Sequence, residues 1–473
     1  MKKFDKDKYL KKLKLKRKWR SYSRYVYIAV PCVLFCLLCL YFAYSKFFVS
    51  EEQAAIRTTV GDFIYGDVVI SAYIDGEYSS TIPGKNDGYV VDKVSCDNGA
   101  VGEWNNIDWG LLTTNLTKRT KCNVYFHKDY LAPIIAQLDS TGKCPTMNAD
   151  GSVNVTGVEA TDGYLCKAKD SYGDSYYYRG NVTNNYVKFA DKYWRIVRIN
   201  GDGTVRVIYD GTSAHANGEA NEDRQIGTSA FNSSYNDNVY VGYMYGQTGA
   251  STYAETHANT NNSAIKTYLD TWYENNIKGT ANEQYLADNV FCNDRSISSN
   301  KPSSYNNLGY GTNATAYRWY YGPWDGNGYN TKMMLTCPQK NDAFTVNDTI
   351  KGNGALTYGI GLLTADEVVL AGGWSSSNYN YYLYSGKDYW LASPYFFFFD
   401  PPISAIAARG LFVNFRGYFS SNYVRSGLGA RPVFNLKAEV LKYGDGTASN
   451  PYRLTESLDN SSSSESGGID TGD

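Results

Sequence analysis

The chain has 473 residues, 45 of them tyrosine, with 20% charged residues and a formal charge of −1. Twelve Lys or Arg against Asp5 and Asp7 give residues 1–24 a net of +10, which leaves −11 for the rest. An acidic remainder without a basic run excludes a phosphate-gripping surface, and with it nucleic acid as a partner.

Val26 to Tyr44 comes next, nineteen residues without a charge, enough to cross a bilayer as a helix. By the positive-inside rule, 1–24 would be a cytoplasmic segment, 25–49 a single-pass transmembrane anchor, and everything beyond it extracellular. Ala43-Tyr44-Ser45 loosely resembles a signal-peptide cleavage site, but both the basic and the apolar stretch are long for one, which favours an uncleaved anchor. Cys32, Cys36 and Cys39 lie in the apolar run, so Cys96, Cys122, Cys144, Cys166, Cys292 and Cys337 would be exported. An even number in an oxidising compartment implies three disulfides among fifteen pairings, read here as sequential. The spacings are unlike zinc knuckles, so no metal is expected.

Residues 61–127 read as a small β-sandwich-like module: an apolar strand from Val68 to Ile74, a turn at Asp75-Gly76, and strands near Gly88 to Val94 and Thr120 to Phe126. Residues 128–184 open with helical spacing from Lys128 to Leu138. They then become rich in Gly, Asn, Thr and Asp, which reads as a linker braced by Cys144 and Cys166.

A larger domain is expected over 185–454. Val187 to Ile199 ends as a strand, and Asn200-Gly201-Asp202-Gly203 turns it into a partner beginning at Thr204. Ser263 to Ile277 is an amphipathic helix with Ile265, Tyr268, Leu269 and Trp272 on one face. Thr364 and Glu367 form a capping box that opens a helix from Ala365 to Ala371. Asp388 to Ser393 and Ala430 to Leu436 read as core strands, and 455–473 as a disordered tail.

Between those strands, Tyr395 to Gly429 has ten aromatics in thirty-five residues and no Lys, Glu, Gln, Met or Trp, types that make up about one residue in eight from Glu51 to Pro394. Those five types are the ones an Asn codon cannot reach by changing only its first two bases. Adenine-directed diversification would leave that mark on a binding surface; an ordinary Tyr-rich hairpin is the other reading. Pro401 and Pro402 cannot donate ladder bonds, so Phe396, Phe397, Phe398 and Phe399 read as a partly exposed loop. A hairpin turning at Arg416-Gly417 would place Phe412, Asn414 and Arg416 on one face with Phe419, Ser421, Tyr423 and Arg425. With the four phenylalanines, that face is the candidate ligand-binding surface.

The order YWRIVRINGDGTVRVIY, LLTADEVVLAGG, YWLASP, a Tyr-rich hairpin, ARPVF and GDGTASNPYRL resembles bacterial surface proteins with a C-type-lectin-like domain. That fold is related in shape to formylglycine-generating enzymes and to the variable proteins of diversity-generating retroelements. The resemblance spans 185–454 and implies an α+β class: a C-type-lectin-like domain preceded by a small β-sandwich-like module and one N-terminal transmembrane helix. It also implies a rigid scaffold presenting replaceable side chains. The Glu-Pro-Asn, Gln-Pro-Asp and Trp-Asn-Asp motifs of the calcium lectins are missing, which argues against calcium-dependent sugar binding.

No enzyme and no cofactor are expected. His127, His215 and His257 are scattered, and formylglycine-generating chemistry needs cysteines beyond Cys337, the last in the chain. Two functions remain: a membrane-anchored receptor or adhesin for an extracellular protein or glycan, or a structural cell-envelope protein.

Overall fold

The computed structural model describes residues 7, 10–19, 53–55, 63–65, 68–115, 120–155, 161–298, 305–321, 324–325, 328–329, 332–374, 376–400 and 405–457. Two compact units divide at Asp129/Tyr130. The expected α+β class is corrected: strands dominate both units, and the longest helix with named bounds, Ala264–Asn276, has 13 residues. The helical signals in the sequence are real but short, while Tyr, Val, Ile and Thr favour the pleated surface wherever a neighbour strand is available. Among the described residues no helix is long and apolar enough to cross a membrane. The expected anchor, Val26 to Tyr44, lies outside them, as do 458–473 of the expected tail. Residues 10–19 of the basic segment are helical with every side chain exposed.

In the first unit, β1 (Val68–Ile74) turns through Asp75-Gly76, both at positive φ, into the short β2 (Glu77–Ser79). β3 (Tyr89–Cys96), β4 (Val101–Asn105), β5 (Gly110–Thr114) and β6 (Thr120–Lys128) follow. β1 pairs in parallel with β6, whose other edge takes β3 antiparallel, while β4 and β5 form a separate hairpin. Alternation puts Ile70, Ala72, Cys122, Val124 and Phe126 on one face, and they bury against Leu111 with Trp104 and Trp109 packed alongside. Cys96 and Cys122 are direct cross-strand partners and form a disulfide.

The second unit begins with the one-turn helix Ala132–Ile135. Residues 163–180, expected as linker, instead form β7 (Gly163–Asp170) and β8 (Gly173–Gly180), paired along their full length. Their Gly and Asp residues mark the turn between strands, and Leu165, Tyr177 and Tyr178 supply the buried area. β9 (Tyr186–Phe189), β10 (Lys192–Ile199) and β11 (Val205–Gly211) continue the sheet, and the Asn200 turn forms as its sequence specifies.

The β9–β10 turn is different in kind. Ala190 and Asp191 adopt φ of 50° and 55°, a left-handed conformation that costs a non-glycine residue about 1 kcal/mol. Ala190→Asn with Asp191→Gly is therefore expected to raise stability by about 1–2 kcal/mol, read as a higher thermal midpoint. An unchanged midpoint would contradict this account of the turn.

The elements that build the second sheet and complete the first are helix Ala365–Ala371, β12 (Tyr389–Asp400), β13 (Ala405–Val413), β14 (Phe419–Tyr423), β15 (Leu428–Gly429) and β16 (Val433–Leu436), with shorter strands and helices between β11 and them. β16 completes the first sheet in the order β7-β8-β10-β11-β16, and a second sheet runs β15-β12-β13-β14. Helix Ala365–Ala371 has the expected capping box and all seven of its residues are buried. Both sheets share one apolar core, from Trp194 and Phe434 to Trp390 and Phe412. Disulfides Cys144–Cys166 and Cys292–Cys337 complete the sequential set.

Candidate ligand-binding surface

Phe396, Phe397, Phe398 and Phe399 are placed within β12, not in a loop. The strand ends at Asp400, and Pro401 and Pro402 lie outside the described residues. Pro394 is inside the strand, at a register irregularity opposite Gly410. Phe397 is fully buried, and Phe396 and Phe398 are 6% and 9% exposed; the Phe399 side chain lies outside the described residues.

The hairpin register is one residue away from the expected one. β13 and β14 pair as Arg409↔Tyr423, Leu411↔Ser421 and Val413↔Phe419, joined by the loop 414–418 in place of a two-residue turn at Arg416-Gly417. Asn414 sets this loop: its Oδ1 accepts from Arg416 N at 2.9 Å and its carbonyl from Gly417 N at 2.8 Å. A one-residue shift turns every side chain to the opposite face. Phe412 therefore shares a face with Ser420 and Asn422, while Phe419, Ser421 and Tyr423 side with Arg409 and Leu411.

Both faces are largely covered. Phe412, 8% exposed, meets Trp390 at 6.3 Å, and Trp390 meets Phe231 at 5.7 Å. On the opposite face Phe396 stacks on Phe398 at 3.7 Å, under Tyr320 at 5.3 and 5.0 Å and Tyr305 at 4.7 Å from Phe398. Arg409 lies over the rings of Tyr423 at 4.2 Å and Phe396 at 5.6 Å. Phe419 is half-buried against Trp319 at 5.4 Å, and Ser421 and Tyr423 are half-buried too. Asn414, 7% exposed, shapes the turn and does not face solvent. Of the expected surface residues with described side chains, only Arg416 and Arg425 are exposed; Arg425 lies over Tyr235 at 4.1 Å.

The loop contributes a residue that alternation missed. Phe415 is 54% exposed with the Arg416 guanidinium 5.3 Å from its ring centre. Its position is held from below: Phe415 N donates to Asp388 Oδ1 at 2.7 Å, and Asn378 N donates to the Arg416 carbonyl at 3.1 Å. Gly417 sits at φ 83°, where a β-carbon would come within 2.0 Å of the Asn378 carbonyl. Tyr379, 48% exposed and 5.5 Å from Tyr384, extends the aromatic patch beside it. Reading Asn414 as the first residue of a turn would have identified Phe415 and Arg416 as its exposed middle.

The charged side chains under the sheets are committed to one another. Glu367 accepts from Thr364 N in the cap, and its other oxygen pairs with Arg206 at 2.6 Å and Arg198 at 3.2 Å. Burial alone would raise that carboxyl; Arg206 and Arg198 outweigh it and hold it below the usual range. Arg318 bridges Asp294 and Asp366. Each histidine has surroundings of its own: His127 pairs with Asp92 at 2.5 Å, His215 stands between Glu219 at 2.7 Å and Asp223 at 3.0 Å, and His257 packs on the Tyr253 ring. Among the described residues no cluster of three His, Cys, Asp or Glu is arranged to hold a metal ion.

Set beside models of protein families, curated proteins and solved structures, the chain matches none of them.

Proposed function

We propose that this chain is an exported ligand-binding protein, a receptor or adhesin, that makes contact through the tip of the β13–β14 hairpin. The observation that carries the reading is Phe415 and Arg416, both exposed on backbone pinned by Asp388, Asn378 and Gly417. A large ring and a guanidinium on a fixed backbone offer contact area with little entropy left to lose, the pattern of interface hot spots. Three disulfides fit an oxidising compartment.

The test separates contact from support. Phe415→Ser with Arg416→Ser is expected to weaken capture of cell-surface protein or glycan by about 30-fold, the equivalent of one hot spot of about 2 kcal/mol. The unfolding midpoint should stay within about 1 °C, since neither side chain is buried. Phe397→Ser should lower that midpoint sharply. Unchanged capture by the loop variant would place the contact surface elsewhere.

A further inference from the structure

We propose that the second unit carries a separate binding groove for a neutral, hydroxyl-rich ligand, a short uncharged oligosaccharide. The groove has a volume of about 570 Å³ and runs between residues 137–141 and 181–184, with β7 and β8 contributing Tyr164, Leu165 and Tyr178. That volume is in the range of small-molecule sites, about 300–1,000 Å³. It does not depend on the hairpin-tip reading and shares no residue with it.

The walls are fixed before any ligand arrives. Asp139 organises one of them: Oδ1 accepts from Thr141 N at 2.9 Å and its hydroxyl at 2.6 Å, and Oδ2 from Lys143 N at 2.7 Å and Cys144 N at 2.9 Å. Asp139 N donates to the Leu165 carbonyl at 2.9 Å, and Cys144–Cys166 ties the same wall to β7. The facing wall is held by the Val182 carbonyl, which accepts from Arg195 and Asn217, both at 2.7 Å. Asn184 Nδ2 donates across to Gln137 Oε1 at 2.7 Å.

Chemistry selects the ligand. The lining holds no Lys, Arg or His, so nothing in it would neutralise an anion. Its one carboxylate, Asp139, has both oxygens committed within its own turn. What remains open is complementary to a hydroxyl, which both donates and accepts. Asn181 Oδ1 takes a bond from Asn217, leaving the Asn181 amide N–H groups without a partner among the described residues, and Asn184 Oδ1 accepts from none. Tyr164 and Leu138 supply apolar surface beside them, suited to the C–H face of a sugar ring.

Isothermal titration of the purified full chain with maltotriose, cellotriose, mannotriose and chitotriose is expected to give a Kd below about 1 mM for at least one of them. Ser140→Trp fills the groove from an exposed position with no side-chain partner among the described residues, and Asn184→Leu removes its acceptor. Each should weaken that binding by about tenfold or more with the unfolding midpoint preserved, while Phe415→Ser leaves it unchanged. No binding across the panel overturns the proposal, as does a neutral tripeptide binding in place of every sugar. Sugar binding lost in Phe415→Ser and retained in Ser140→Trp would assign it to the hairpin tip, sinking the groove and sparing the tip.

Discussion

Asp210→Asn is expected to destabilise the second unit by about 3–5 kcal/mol, the range for breaking a buried ion pair from one side. Asp210 is fully buried in β11, and it is the carboxylate on which three guanidiniums converge. Arg224 reaches Oδ1 at 2.7 Å and Arg431 at 3.1 Å, while Arg195 stands 3.9 Å from Oδ2. All three arginines are buried too, and burial pushes the guanidiniums of Arg195 and Arg431 down against the pull of the carboxylate. Backbone carbonyls of Val182, Tyr209, Leu383, Tyr382 and Glu219, with the side-chain oxygens of Asn185 and Asn217, accept from the other N–H groups. An asparagine keeps the shape and one acceptor but removes the negative charge, leaving three cations facing one another in a low-dielectric interior. The fall should appear as a lower urea midpoint with an unchanged slope. A loss under about 1 kcal/mol would mean that water solvates these arginines.

Acid should weaken the fold through His257 before most carboxylates respond. This ring is 1% exposed, lies 3.7 Å from the Tyr253 ring, and has no hydrogen-bond partner on either nitrogen among the described residues. Burial, and then the neighbouring Arg295, push its pKa from 6.5 to about 2. With the folded value depressed, the neutral ring belongs to the folded state and the protonated ring to the unfolded one. The stability is complete above pH 6.5 and is lost as pH falls below it, at up to about 1.4 kcal/mol per unit. Glu219, Asp223 and Glu367 are held below their ordinary values, so their contributions fade only as pH drops through the acidic range below about 4. Between pH 6.5 and 4.5 the histidine slope is therefore separable. His257→Phe, which keeps an aromatic ring against Tyr253, should lose about 2–3 kcal/mol less than the parent across that window. Parallel curves for the two proteins would refute the assignment.

Much of the fold was legible because its signals are local. Asn200 to Gly203 specified a hairpin, Thr364 and Glu367 a helix start, and each forms, because turn and cap bonds connect residues two to four apart. The sequential disulfides followed the same logic of proximity along the chain. The β13–β14 hairpin was legible as a pair of strands, but not in register, since Asn414 opens the loop two residues earlier than Arg416-Gly417 suggested. That single step moved Phe412 to the other face.

By itself, the sequence determined several strands and turns, among them Val68 to Ile74 and the Asn200 reversal, the helix cap at Thr364, the sequential joining of the cysteines, and that the bulk of the chain is acidic. Only the tertiary structure decided which aromatics meet solvent: Phe396 and Phe398 were covered by Tyr320 and Tyr305, from a segment that lies far earlier in the chain, while Phe415 was left outside. It also decided the class, by recruiting 163–180 into the main sheet, and it made buried arginines tolerable through carbonyls drawn from distant loops. Strand formation depends on neighbours within a few residues, whereas burial depends on what packs against the second face. No pattern within the strand encodes that.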